Sequence, residues 1–318
     1  MDLTEPVPAT GAQYEISRGS ARAVIGSLGG ALRRYTLGGT DLVQTYPDSS
    51  IPPSASGILL APWPNRVADG RWTLAGEPQQ LDITEPSRGH ASHGLLRNTG
   101  YVLQDREPGA VVLQAEIFPQ HGYPFHLLHR AGYSLGEAGG LRVRQSLTNI
   151  GPAEAPVALG AHPFLRLGDV PTEELILTVR ARTVLTVDER LIPNGRRPAS
   201  GAADLNHGTR VGDLELDSAY TDLEPTGDGV YRHTLTAPDG RSVSLWSGPE
   251  CGYVHVFVTD KYPGHARAVA LEPMTAPANA LNSGEGLVWL EPGDTFTAEW
   301  GVHADLGTDG HHSGNSEV

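Results

Sequence analysis

YRHTLTAPDGRSVSLW, residues 231–246, holds the fold argument in miniature. Two short runs, Tyr231 to Thr236 and Ser242 to Trp246, flank Pro238-Asp239-Gly240. Proline presets the backbone for entry into a turn, aspartate bonds its own neighbouring amides, and glycine accepts positive φ on the way out. Asp-Gly between alternating runs is a strong short-range hairpin signal. The same signature recurs along the chain. LRVRQSL (Leu141 to Leu147), YVHVFV (Tyr253 to Val258) and the stretch Val111 to Phe118 alternate with period two, the spacing of a strand with two different faces. Arg33 to Leu37 and Leu42 to Tyr46 flank Gly38-Gly39-Thr40-Asp41, which predicts a second hairpin. No long segment carries apolar residues at helical spacing with caps at both ends. With 39 Gly and 25 Pro, helices have few places to propagate. The expected fold class is all-β: a large antiparallel β-sandwich with few short helices, its long loops carrying function. Glu85 to His93 and Pro193 to Asn206 read as such loops. No repeat or linker divides the chain. The expectation is one domain over residues 1–303, then a polar, disordered tail over 304–318, in which His311-His312 is solvated.

The formal net charge is −14, with 37 acids against 23 bases. A nucleic-acid partner would require a basic stripe to replace phosphate counterions, so none is expected. No apolar run is long enough to span a bilayer, and MDLTEPVPATGAQYEI lacks the basic start and apolar centre of a signal peptide. One cysteine, Cys251, permits no internal disulfide and reads as structural. The expected setting is the cytoplasm, with no membrane partner, and the expected state is a monomer or homodimer.

The chemistry starts from VALEPMTAPANALNSGEGLVW, residues 269–289. One carboxylate, Glu272, closes an apolar strand-like run and is followed at once by Pro273, Pro277 and two asparagines. That is a place from which a rigid sheet can aim a side chain into a cleft; a surface glutamate at a strand end is the alternative. His162, in LGAHPFLRLG, is held extended by Pro163 and can trade a proton near neutral pH; a satisfied core histidine is the alternative. His90 and His93 sit three apart in a Gly-rich loop with no cysteine, HExxH or close acid. A hydroxyl donor or loop brace therefore fits better than a metal site, and neither metal nor cofactor is expected. Arg66 follows Pro64-Asn65 and can offer a planar fork to two oxygens, or pair with Asp69. Asp217, in LELDSAYTDL, can accept from two neighbouring hydroxyls or form a turn. Trp63 and Trp246 can stack on the apolar face of a sugar ring or pack in the core. No phosphate loop and no GxSxG elbow is present.

Taken together and in this order, PWPNRVADGRWTLAG, SHGLLRN, GAHPF, LDSAYTDL and LEPMTAPANALNSGEG followed by LEPGDTF resemble the aldose 1-epimerase (galactose mutarotase-like) family. The pieces run from about Trp63 to Phe296. The resemblance implies a β-supersandwich and a cofactor-free isomerase that interconverts the α and β anomers of a free aldohexose. It implies His162 as catalytic acid and Glu272 as catalytic base, with Arg66, His93 and Asp217 holding the sugar. Trp246 joins these as a candidate stacking residue. The sequence departs from the galactose-type pattern after the HP pair, where Phe164-Leu165-Arg166 follows, and after Glu272, where Pro273-Met274 follows; these departures leave the sugar open. A hexose-6-phosphate or other anionic sugar, bound through Arg66 and Arg97, is one alternative. A non-catalytic carbohydrate-binding protein and a glycoside hydrolase are two others.

Overall fold

The computed structural model describes residues 8–307. The reading of residues 308–318 as tail lies outside the described residues. The predicted hairpin is present: Tyr231–Thr236 pairs antiparallel with Ser242–Ser247 in unbroken register. It sits inside a nine-stranded antiparallel sheet whose middle is Leu127–Leu135, Leu141–Asn149, Thr295–Asp305 and Ser242–Ser247. The last of the chain's strands therefore runs two residues past His303. An eight-stranded sheet faces it, centred on Asp217–Leu223, Tyr253–Thr259 and Ala268–Met274. A four-stranded sheet of Gln13–Arg18, Ala21–Gly26, Leu32–Leu37 and Thr40–Asp41 joins the same core. Helix is confined to one turn, Ala280–Ser283, and five 3-10 turns among the described residues.

Side-chain alternation fixes which face each residue takes. In Leu141–Asn149, Leu141, Val143 and Leu147 are buried between Arg142, Arg144 and Ser146, which are more exposed. Those leucines and valines meet Val254, Val256, Val269 and Leu271 of the facing sheet in one continuous core. Gln145 reaches across and donates to the Gly160 carbonyl at 3.1 Å, tying the two sheets together.

Three sequence expectations change. The second hairpin is tighter than expected: its return arm is Thr40–Asp41, around a two-residue turn at Gly38 and Gly39 with φ of 58° and 84°. Leu42 to Tyr46 leaves that hairpin, because two glycines with positive φ already close it. Pro193–Pro198 is a strand, not part of a loop; it pairs with Ala181–Val187 at the sheet edge. Its prolines and arginines hide it from an alternation test, yet they suit an exposed edge. Finally, Glu272 lies inside a strand and not at its end, since pairing continues through Pro273 to Met274. Leu271 donates to the Pro163 carbonyl at 3.2 Å, so residues 271 and 273 turn their nitrogens toward the same neighbour. That neighbour is interrupted between Gly160–Ala161 and Phe164–Leu165. Proline, which has no donor, therefore fits at position 273 without loss of a ladder bond.

Candidate active site

The alternation that builds the core also builds the site on the opposite face of the eight-stranded sheet. Val269 and Leu271 enter the main core, whereas Ala268 and Ala270 pack on Phe164 and Tyr262 behind it. Glu272 shares that second face. On the next strand Val254, Val256 and Val258 enter the core, which leaves His255 and Phe257 beside Glu272; His255 and Glu272 are cross-strand partners. Asp217 pairs with Phe257 one strand further on. One sheet face thus presents Asp217, His255 and Glu272 in a row.

The interrupted neighbour adds His162, whose ring stacks on Phe164 at 5.3 Å between centroids. Loops close the cavity from above. Arg66–Val67 pairs with Ala91–Ser92, and Asn279 locks this pair from the far side. Its amide donates to the Arg66 carbonyl at 2.6 Å, and its side-chain oxygen accepts from the Ala68 amide at 3.0 Å. Asn282 donates to the Arg71 carbonyl at 2.8 Å. Asn279 therefore braces the strand of Arg66, and Asn282 the strand that follows it. His93 has φ of 65° and meets His162 edge-on at 5.3 Å.

These groups line one cavity of about 400 Å³. His162 Nε2 lies 3.3 Å from Glu272 Oε1, with both side chains at most 5% exposed. Arg66 grips Glu85 with two bonds, at 2.8 and 3.1 Å, and its Nη1 lies 3.6 Å from Asp217. His255 Nε2 lies 2.8 Å from Asp217 Oδ1. Arg97 also lines the cavity; it donates to the Ser92 carbonyl at 3.3 Å and forms no ion pair among the described residues.

Electrostatics divides the histidines. Burial pushes His93 well below the ordinary imidazole value, and the nearby charges of His162, Arg97 and Arg66 push the same way. Burial also lowers His162, although the Glu272 carboxylate opposes it. His255 is opposite: burial works against its charge, but the Asp217 hydrogen bond and the carboxylates of Glu272 and Asp217 outweigh it and raise the value. Burial of Asp217 is likewise outweighed, by the His255 hydrogen bond and the charges of His255 and Arg66, so its carboxyl is held well below the usual range.

The structure brings Arg66, His93, His162, Asp217 and Glu272 together and leaves Trp246 out. Trp246 is on the nine-stranded sheet, beside Arg142, Arg232, Ser244 and His303. Val243 and Leu245 of the same strand take the core, so alternation turns Trp246 outward. Trp63 is in the core, tilted against Tyr123 at 5.8 Å. Arg66 pairs with Glu85 and Asp217, and Asp69 with Arg190. His90 is a brace: its Nδ1 accepts from the Asp69 amide at 3.2 Å, and its Nε2 lies 3.1 Å from the Arg190 carbonyl. Burial pushes the Cys251 thiol up to about 12, consistent with a structural residue. Sequence reasoning missed His255 and Glu85. An imidazole in the otherwise apolar run YVHVFV was the available signal for the first.

The aldose 1-epimerase family model matches residues 12–303. The chain is 32% identical over 287 residues to YihR of Escherichia coli K12, described only as uncharacterized, covering 89% of this chain and 90% of that one. Among solved structures, the GalM/aldose epimerase homologue of C. elegans superposes with a TM-score of 0.81 at 18% identity, covering 92% of this chain and 98% of that one. Galactose 1-epimerase from Lactobacillus acidophilus NCFM gives 0.78 at 16% identity, covering 93% and 95%. At such identities the two structures speak for the fold, which is galactose mutarotase-like. With the family model spanning nearly every described strand, the chain belongs to the aldose 1-epimerase family.

Proposed function

We propose that this protein is a mutarotase that interconverts the anomers of an aldohexose by acid–base ring opening and reclosure. The observation that carries the reading is the 3.3 Å approach of His162 Nε2 to Glu272 Oε1 inside one cavity. Ring opening removes a proton from the anomeric hydroxyl and adds one to the ring oxygen. Both oxygens are on the same carbon, so one base and one acid must converge on a single edge. Glu272 takes the hydroxyl proton. His162, protonated, gives its Nε2 proton to the ring oxygen as the bond from that oxygen to the anomeric carbon breaks. The open aldehyde turns about its first carbon–carbon bond. The chain hydroxyl then attacks the other face of the carbonyl, returns its proton to His162, and Glu272 reprotonates the new anomeric oxygen. No proton is gained or lost over the cycle. Arg66, Asp217 and neutral His93 hold remote hydroxyls that are the same in both anomers. Asp217, held ionised by His255 and Arg66, accepts from sugar hydroxyls and gives no proton.

Two-dimensional NMR exchange spectroscopy of equilibrated anomers tests the reading: exchange cross-peaks should grow with protein concentration. Because His162 must be cationic to act and lies below the ordinary 6.5, kcat/KM should already fall as pH rises through the region below 6.5. An alkaline limb well above 6.5 would remove His162 as the acid.

Arg97 favours a second reading of the substrate. A partly buried guanidinium with no carboxylate partner among the described residues lines the cavity, which suits a sugar bearing an anionic group. If so, Arg97→Gln should raise KM for the anionic aldose by about tenfold or more, the loss of a charged hydrogen bond, and leave a neutral aldose nearly unchanged. Equal, small effects on both would favour the neutral sugar.

A further inference from the structure

The cavity holds three carboxylates, Glu85, Asp217 and Glu272, against two guanidinium groups, Arg66 and Arg97. Glu85 and Asp217 occupy Arg66, at 2.8 and 3.6 Å. Arg97 is turned to the Ser92 carbonyl. Glu272 is 2% exposed, and its Oε2 accepts no hydrogen bond among the described residues. A carboxylate so placed stays ionised only if a cation faces it. Its direct cross-strand partner is His255. That ring is itself 6% exposed, and its Nδ1 is buried and engages no acceptor among the described residues, while its Nε2 is fixed on Asp217 at 2.8 Å.

We propose that Asp217 pins His255 as a permanent imidazolium, and that this cation holds Glu272 in its carboxylate form. His255 is then a positioning residue that acts through Glu272, distinct from the acid His162. Signs alternate along the wall: Glu85 negative, Arg66 positive, Asp217 negative, His255 positive, Glu272 negative, His162 next. Arg97 pairs with no carboxylate among the described residues, so with His255 neutral Arg66 alone would serve Glu85 and Asp217, and Glu272 would face only His162, the group that must give up its proton during the reaction. The groups that act on His255 come from each packed element: Asp217 on its left-hand strand, Glu272 on its right, Arg66 from the loop strand, and His93 and His162 across the cavity.

The proposal rests on Glu272 as the base, and two measurements separate the two ideas. In His255→Gln the acid limb of the kcat/KM profile should move to higher pH by about one unit, the effect of losing a neighbouring charge. A merely structural role would lower kcat and leave the limb in place, and that result overturns the proposal. Independently, ring ¹⁵N shifts of His255 in the wild-type protein, assigned through its backbone, should show both nitrogens protonated at pH 7. A neutral ring there also overturns it, even if the variant does not fold. A wild-type protein without anomer exchange removes the mutarotase reading alone, since the ring measurement needs no turnover.

Discussion

Glu272→Gln is expected to lower kcat/KM for anomer exchange by about 10²–10⁴, the usual contribution of one positioned proton-transfer group. The substitution keeps the shape of the side chain and removes only its ability to take a proton. Glu272 sits between two imidazoles, cross-strand from His255 and 3.3 Å from His162, with no other carboxylate in place to substitute. Asp217 is bound to His255 and Glu85 to Arg66. His162→Asn should cost a similar factor. The double substitution should cost little more than either single one, because acid and base act as a unit on one bond. Exchange by the Glu272→Gln protein within threefold of wild type would mean that the base is another group.

Gly94→Ala should cost about 3 kcal/mol or more of folding stability, through backbone strain together with a steric clash. Gly94 has φ of +71°, and a Cβ there would meet the Ala61 carbonyl oxygen at 2.0 Å and its carbon at 2.4 Å. That carbonyl cannot move aside, since it accepts from the Leu95 amide at 2.8 Å and the Leu96 amide at 3.3 Å. His93 immediately precedes the glycine and carries its own positive φ of 65°, so any relief displaces a ring of the cavity wall. Gly240→Ala is the control: φ is +90° but a Cβ there meets nothing within 4 Å. It should cost only the conformational term, roughly 1–2 kcal/mol. Urea unfolding of the three proteins compares them. Equal losses at both positions would show that the contact with Ala61 is not decisive.

Much of the architecture was legible because a buried strand with two unlike faces writes itself as alternation. Leu141 to Leu147 and the hairpin around Pro238-Asp239-Gly240 needed nothing else. Pro193–Pro198 escaped because an edge strand is exposed and carries prolines and arginines in place of alternating apolar residues. The site was harder for a different reason. Glu272, His255 and Asp217 share a face only through the register of three strands far apart in sequence. Local sequence does not contain register, so Asp217 and Glu272 stand out one at a time, each with a bland alternative, and only the order of family motifs joins them in one site. His255, which belongs to none of those motifs, was passed over as part of a strand. Trp246 shows the converse. SVSLWS places Trp246 in step with Ser242 and Ser244 and out of step with Val243 and Leu245, and simple parity already turns it toward solvent. The asparagines after Glu272 carry structure in place of chemistry: Asn279 ties the segment that follows the base's strand to the strand of Arg66.

The central claim is that one carboxylate and one imidazole, 110 residues apart in sequence (272 − 162), open and close the same hemiacetal. Exchange spectroscopy over a panel of neutral and anionic aldoses, run with wild-type protein and with Glu272→Gln at equal concentration, reads this directly. The account predicts protein-dependent α-to-β exchange for at least one aldose, lost in the variant while binding persists. Binding of aldoses by the wild-type protein with no acceleration of exchange for any of them would contradict it.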